Sequence, residues 1–337
     1  MENVAVTQSG REIWAGSSGK WAGEQWLKAM KAGKGITAAA LRVADTLRKD
    51  EWKAFDEALV EEATIRLRGV GDLLNANLTI SVANGLGKTM LEYEKVTDMN
   101  PAEVSMDGVV RSENDRQEFT LDSIPLPITH KDFTINLRTL SASRERGESL
   151  DTTQVRTAGR LIAEETERML FQGGKVFQGK TIYGYTTHPN RNTVGFGGAE
   201  AWSATGKSGE EVLVDLLTLI GMAETDRMFG PYWLYVSRNA STKLEEDFKA
   251  NSDKTIRQRL MEVDGVRAIQ TVDQLPADNV VLVQATRDVV VMVNGLNLQT
   301  VQWDIEGGFR INFKGFQIML PLIRADAQGR SGVQHMS

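Results

Sequence analysis

The chain has 337 residues, 41% hydrophobic and 25% charged, enough for a substantial core in one large or two medium domains. Its 39 basic and 45 acidic residues give a formal charge of −6, against the strongly basic footprint of a dedicated nucleic-acid binder. Cysteine is absent, which removes disulfides, thiolate metal sites and cysteine nucleophiles, and no apolar run approaches the roughly 18 residues of a membrane-spanning helix.

The opening MENVAVTQSGREIW has neither the basic start nor the apolar core of a secretory signal. Residues 1–36 are punctuated by glycines yet hold Trp14, Trp21 and Trp26, three of the seven tryptophans. Disordered tails are poor in aromatics, so this segment reads as an arm anchored by its tryptophans, on its own body or on a neighbouring subunit. A helical region fills 37–87, its pattern running from Ala38 to Leu74 with Leu47, Phe55, Leu59, Ile65 and Leu67, and Gly69 and Gly71 mark its exit. Residues 88–123 read as an extended hairpin. Leu91 and Tyr93 alternate with Glu92 and Glu94 in Met90–Val96, Phe119 and Leu121 alternate with Glu118 and Thr120 in Arg116–Asp122, and a turn-rich connection joins the two. A two-stranded hairpin is marginal alone in water, so one carrying Glu92, Glu94, Lys95, Arg116 and Glu118 is expected to lie against a neighbour.

Residues 124–177 hold a Pro-flanked strand, the basic turn Arg144-Glu145-Arg146 and a long helix of about 22 residues, roughly 33 Å at 1.5 Å per residue. Asp151 stands at its N-cap with Gln154 to complete a capping box, and Leu150 and Val155 form a hydrophobic staple. A stripe of Val155, Ala158, Gly159, Ile162, Met169 and Leu170 is interrupted only at Thr166, and Gly173-Gly174 ends the helix. The other face carries Arg156, Arg160, Glu164 and Arg168 with Glu165 and Glu167 beside them, a solvated face or a seam against another subunit; charge runs usually face water.

From 178 to 296 the pattern is mixed. Lys175–Ala201 reads as loops; Ser208–Arg227 as a helix with a Ser208/Glu211 capping box and an apolar face of Val212, Leu213, Leu216, Leu217 and Ile220; Tyr232–Val236 as a buried strand. Ser241–Phe248 and Lys254–Met261 read as helical, and Val266–Thr271, Asn279–Gln284 and Asp288–Val293 as strands. The last region, 297–337, has strands at Leu298–Trp303, Phe309–Phe313 and Phe316–Ile323 and then a tail.

The order of Pro-flanked strand, basic turn, Leu-Asp and a long helix closing on Met-Leu-Phe-Gln-Gly-Gly resembles the spine-helix region of tailed-phage major capsid proteins and encapsulin shell proteins. Glu164, Glu165, Glu167, Phe171 and Gly173 stand where that family closes its helix on an acidic, apolar, Phe-x-Gly pattern. The resemblance implies an α+β capsid fold with N-terminal arm, extended hairpin loop, peripheral domain with spine helix, and axial domain. It implies self-assembly into hexamers and pentamers of an icosahedral shell, a place in the virion, and enclosed double-stranded DNA without sequence-specific binding. Decoration, scaffolding and portal proteins would be partners; no cofactor, membrane or cleaved N-terminal scaffolding domain is expected. The subunit-interface residues would be Trp14, Trp21, Trp26, Glu92, Glu94, Lys95, Arg116, Glu118, Arg144 and Arg146, the last two pairing with carboxylates across a boundary. An encapsulin enclosing a cargo enzyme is the alternative, and an α+β enzyme a more distant one.

Enzyme signatures fail on inspection. Gly206-Lys207-Ser208 ends like a phosphate loop, but that motif needs glycine where Ala201 stands, and Gly87-Lys88-Thr89 has Val82 in the same place. The three histidines, His130, His188 and His335, show no metal-ligand spacing, and no Gly-x-Ser-x-Gly elbow occurs.

Overall fold

In the computed structural model, which describes residues 57–63, 67–96, 104, 106, 119–136, 153–249, 253–305, 310–326 and 328–337, the long helix runs from Thr153 to Phe171. It stops because Gly173 and Gly174 take φ of 57° and 79°, a region that residues with a Cβ avoid. The predicted cap, Leu150 and Asp151, lies outside the described residues. Val155, Ala158, Ile162, Met169 and Leu170 are buried as predicted. Thr166 is buried too and does not break the stripe: its hydroxyl donates to the Ile162 carbonyl at 2.9 Å and accepts from the Gln317 amide, so no polar atom is stranded.

The described residues fall into two units. The first draws on Met1–Thr89, Leu126–Leu170 and Met292–Pro321. Its four-stranded sheet has the order Thr79–Ser81, Val290–Ile305, Arg310–Ile323, Thr129–Asn136. Thr79–Ser81 joins parallel, with Thr79 beside Met292, and Thr129–Asn136 antiparallel, with Phe133 beside Phe313. Those two rings stack with centroids 5.1 Å apart. The long helix buries Val155 and Ala158 against Leu59, Ile135, Ile311 and Phe313.

Two breaks predicted at glycines are absent. Val290–Ile305 is one strand through Gly295, and Arg310–Ile323 is one strand through Gly315. These glycines serve close approach rather than turning. A Cβ on Gly295 would stand 2.9 Å from the Ile318 Cγ2, one on Gly85 would stand 2.3 Å from the Gly295 carbonyl oxygen, and one on Gly315 would stand 3.2 Å from the Ile162 Cδ1. Gly69 and Gly71 likewise do not end a helix. Residues 57–63 are helical, and a separate short helix, Gly69–Asn75, contains both glycines.

The second unit comprises Met90–Pro125, Phe171–Val291 and Leu322–Ser337. Its five-stranded sheet has the order Asn192–Val194, Val333–Met336, Val280–Gln284, Tyr232–Ser237, Val266–Val272. The helix Gly209–Thr225 begins with the predicted reciprocal cap, Glu211 N–H to Ser208 Oγ at 3.3 Å and Ser208 N–H to Glu211 Oε2 at 2.7 Å. Val212, Leu216, Leu219, Ile220 and Ala223 pack with Leu234 and Leu282. Leu217, predicted in that face, is 49% exposed; the i, i+4, i+7, i+8, i+11 series from Val212 passes it by.

Three further expectations need correction. The stretch read as loops from Lys175 contains a hairpin of Gly173–Phe177 and Lys180–Tyr183, and the edge strand Asn192–Val194. Its turn is Gln178-Gly179, with φ of 50° and 76°, the doubly positive geometry that matches strand twist. The helix predicted at Ser241–Phe248 is instead Arg238–Lys243, while that at Lys254–Met261 is Ile256–Met261 with a Thr255/Gln258 capping box. The expected C-terminal tail ends in a wholly buried strand, Val333–Met336, paired antiparallel with Val280–Gln284.

Candidate functional site

The hairpin predicted around 88–123 forms from Met90–Val96 and Phe119–Pro125, with Met90 beside Pro125 and Val96 beside Phe119. The pleat sends cross-strand partners to the same face. Tyr93 and Asp122 share one face: the Tyr93 hydroxyl donates to Asp122 Oδ2 at 3.1 Å, and Lys180 reaches Asp122 Oδ1 at 3.1 Å. Burial, with the Asp122 charge adding, pushes the Tyr93 phenol up to about 12, so it stays a neutral donor. Glu92 and Glu94 point to the opposite face with Leu121 and Phe119, which are 61% and 64% exposed. That face is a charged and apolar surface without a cover among the described residues.

Of the other predicted interface residues, Lys95 has its backbone in the ladder opposite Thr120. Arg116, Glu118, Arg144, Arg146 and the tryptophans Trp14, Trp21 and Trp26 lie outside the described residues.

On the long helix, Arg160 meets Glu164 at 3.2 Å, Arg168 holds Glu165 with two hydrogen bonds of 2.7 and 2.9 Å, and Arg156 reaches Glu61 at 3.2 Å. Pairs this accessible contribute at most about 1 kcal/mol each. Glu167 is the exception. It is 3% exposed, and its two oxygens accept the Gly69 N–H at 2.7 Å and the Val70 N–H at 3.1 Å, the first turn of the Gly69–Asn75 helix. Burial pushes its carboxyl up to about 7 against the pull of those N–H groups, with Asp72 adding to the rise. Sequence reading placed Glu167 beside the exposed charges, yet its spacing from buried Ala163 and Leu170 is i+4 and i−3, the signature of the inner face.

The phosphate-loop lookalike at 206–208 has a structural role. Lys207, 2% exposed, lies 2.9 Å from Asp215 Oδ2 and donates to the Gly197 carbonyl at 2.5 Å. Asp215, 3% exposed, also accepts from Trp202 Nε1 at 2.9 Å and from the Gly197 N–H at 3.0 Å. The pair ties the glycine-rich loop to the helix, and its lysine is turned inward, away from any phosphate.

Among the described residues no three His, Asp or Glu side chains gather as a metal site, and no helix is long and apolar enough to cross a membrane. An open cleft of about 440 Å³ beside Phe196, Asp278 and Ser337 has its carboxylate engaged by the Ser203 hydroxyl.

The profile of a family described as of unknown function, DUF6260, matches residues 38–336. The chain belongs to that family. It is also 25% identical over 238 residues to the type 1 encapsulin shell protein EncA of Myxococcus xanthus strain DK1622, over 69% of this chain and 71% of that one. Among solved structures, the virus-like particle from Pyrococcus furiosus matches with a TM-score of 0.60 at 17% identity, covering 85% of this chain and 99% of that one. The capsid of Myoviridae phage XM1 matches at 0.57 and 11% identity, over 78% and 90%. The capsid of an empty GTA particle matches at 0.53 and 13% identity, over 92% and 96%. The fold is therefore the α+β fold of tailed-phage capsid and encapsulin shell proteins, as the resemblance implied.

Proposed function

We propose that the chain is a structural subunit that assembles with copies of itself into a closed icosahedral shell, and that this shell is the head of a tailed phage enclosing double-stranded DNA. The observation that carries the shell reading is the likeness over 85% of this chain and 99% of a particle-forming chain. Closed shells need head-to-tail contacts that return on themselves, so function here lies in interfaces and involves no catalysis. The exposed hairpin face with Glu92, Glu94, Phe119 and Leu121 supplies one such surface. Lys95, Arg116 and Glu118 on the same hairpin, the basic turn with Arg144 and Arg146, and the arm with Trp14, Trp21 and Trp26 supply the others. We read the unit containing the long helix as the peripheral domain and the unit containing the five-stranded sheet as the axial domain. The acidic balance of the chain suits a container that does not grip its DNA.

What supports the head reading is the likeness to the empty GTA capsid over 92% of this chain. The encapsulin reading has its own support in the sequence relative from Myxococcus xanthus. Content separates them: nuclease-resistant double-stranded DNA inside purified shells supports the head, whereas a co-purifying enzyme at fixed stoichiometry without DNA supports the compartment. Deleting residues 97–114 from the hairpin connection is expected to leave a folded protein, by circular dichroism and a cooperative thermal transition, that no longer forms shells in sedimentation. Shells of native size from that deletion would remove the hairpin from the interface.

A further inference from the structure

The C-terminal strand Val333–Met336 carries His335, buried, with both ring nitrogens engaged. Arg191 Nε lies 3.3 Å from Nδ1, and Asn279 Oδ1 lies 2.5 Å from Nε2. The orientations are fixed from outside. Arg191 also donates to the His188 carbonyl at 2.9 Å, and the Asn279 amide nitrogen donates to the Ala277 carbonyl at 2.8 Å, which leaves its oxygen facing the ring. A guanidinium only donates, so Nδ1 is the bare nitrogen and Nε2–H is the donor to Asn279. The site accepts one species, the neutral imidazole in one tautomer.

We propose that Arg191, His335 and Asn279 form an acid-sensitive latch: protonating His335 sets a second cation and a second donor against Arg191 and releases the edge strand Asn192–Val194 from the C-terminal strand. That edge is held by three residue pairs, Gln334 with Asn192, His335 with Thr193 and Met336 with Val194, so the histidine sits at its middle. Of the charged groups around it, Arg191, just before the edge strand, faces the ring. Asp226, at the end of the helix Gly209–Thr225, is engaged by Asn192 and the Ser331 N–H, and Asp278 by the Ser203 hydroxyl. No carboxylate among these is hydrogen-bonded to the ring to compensate a charged imidazole. Burial, with Arg191 adding, pushes the imidazole down to about 4 from 6.5, in keeping with this geometry. The native state then holds fewer protons than the open one between those values. The latch is fully present above about 6.5 and is lost as pH falls toward about 4. Release would uncover unpaired N–H and C=O groups along the C-terminal strand, a sheet edge open to a new strand.

The test is hydrogen exchange with mass spectrometry on the full chain from pH 7 to pH 4, corrected for intrinsic exchange, and it does not depend on whether the chain forms a shell. Protection of peptides covering 190–197 and 331–337 is expected to fall on the order of a hundredfold across that range, while that of 212–220 holds. Arg191→Gln, which removes the charge and keeps a donor, is expected to reduce the fall only in part, to about thirtyfold, since burial of the ring is the larger cause and remains, and His335→Gln to abolish it. A uniform loss of protection in all peptides would overturn the latch. So would the full fall persisting in His335→Gln, which assigns the opening to a carboxylate such as Asp226, or persisting undiminished in Arg191→Gln, which takes Arg191 out of the latch and decides the matter even if His335→Gln does not fold.

Discussion

Replacing Glu167 by alanine is expected to cost about 3 kcal/mol of stability, because two buried N–H groups lose their acceptor and each stranded donor costs about 1–3 kcal/mol. Gly69 and Val70 are buried, and the carboxylate arrives from a helix nearly 100 residues away, so no neighbouring side chain in sequence stands in for it. Glu167→Gln keeps one acceptor and is expected to cost about 1 kcal/mol. The two variants also differ in pH behaviour. The folded carboxyl titrates at about 7 against 4.5 unfolded, so its contribution is full below about 4.5 and is lost as pH rises through about 7. His335 works in the opposite direction, gaining with pH between about 4 and 6.5. The two slopes oppose each other in the wild-type chain. Denaturant titrations between pH 4.5 and 6.5 are expected to show stability that rises more steeply with pH in Glu167→Gln than in the wild type. A Glu167→Gln chain whose stability follows pH as the wild type's does would contradict the assignment of Glu167.

The second large effect is expected at Asp215. Asp215→Ala leaves Lys207 as a buried cation without its counter-charge and strips the acceptor from Trp202 and Gly197, and breaking a buried pair on one side typically costs about 3–5 kcal/mol. Lys207→Met is expected to cost less, since Asp215 keeps both N–H partners, and the double variant to be more stable than Asp215→Ala alone. Urea unfolding of the four proteins checks this as a double-mutant cycle. Equal midpoints for Asp215→Ala and the wild type would show that the pair contributes nothing.

What the sequence made legible follows from how local each cause is. The Ser208/Glu211 cap, the long helix with its Gly173-Gly174 stop and the alternation in Met90–Val96 depend on neighbours within four residues, and each formed where its pattern stands. Gly295 and Gly315 misled because close approach to Gly85, Ile318 and Ile162 is a tertiary matter, and a glycine needed for room looks in sequence like one needed for a turn. The strand Val333–Met336 was hidden by Gln334 and His335, polar residues whose ladder partners, Asn192 and Leu282 for the first and Thr193 and Val281 for the second, lie far away in the chain. Glu167 was read as surface charge although its spacing from Ala163 and Leu170 marks the inner face, because the N–H groups that satisfy it lie nearly 100 residues away, and Lys207 was read as a failed phosphate loop because its partner Asp215 lies outside that motif. Part of the candidate surface was legible, since the exposed face with Glu92 and Glu94 follows from period-two alternation alone.

The most direct test of a shell-forming subunit is the mass and image of the purified full-length protein, by sedimentation velocity and negative-stain electron microscopy of the same sample. A shell subunit is expected to appear as closed, round particles of uniform diameter, with a mass that is a multiple of 60 chains by icosahedral symmetry, on the order of megadaltons. A folded protein that remains a monomer or small oligomer at every concentration and ionic strength tried would contradict the shell.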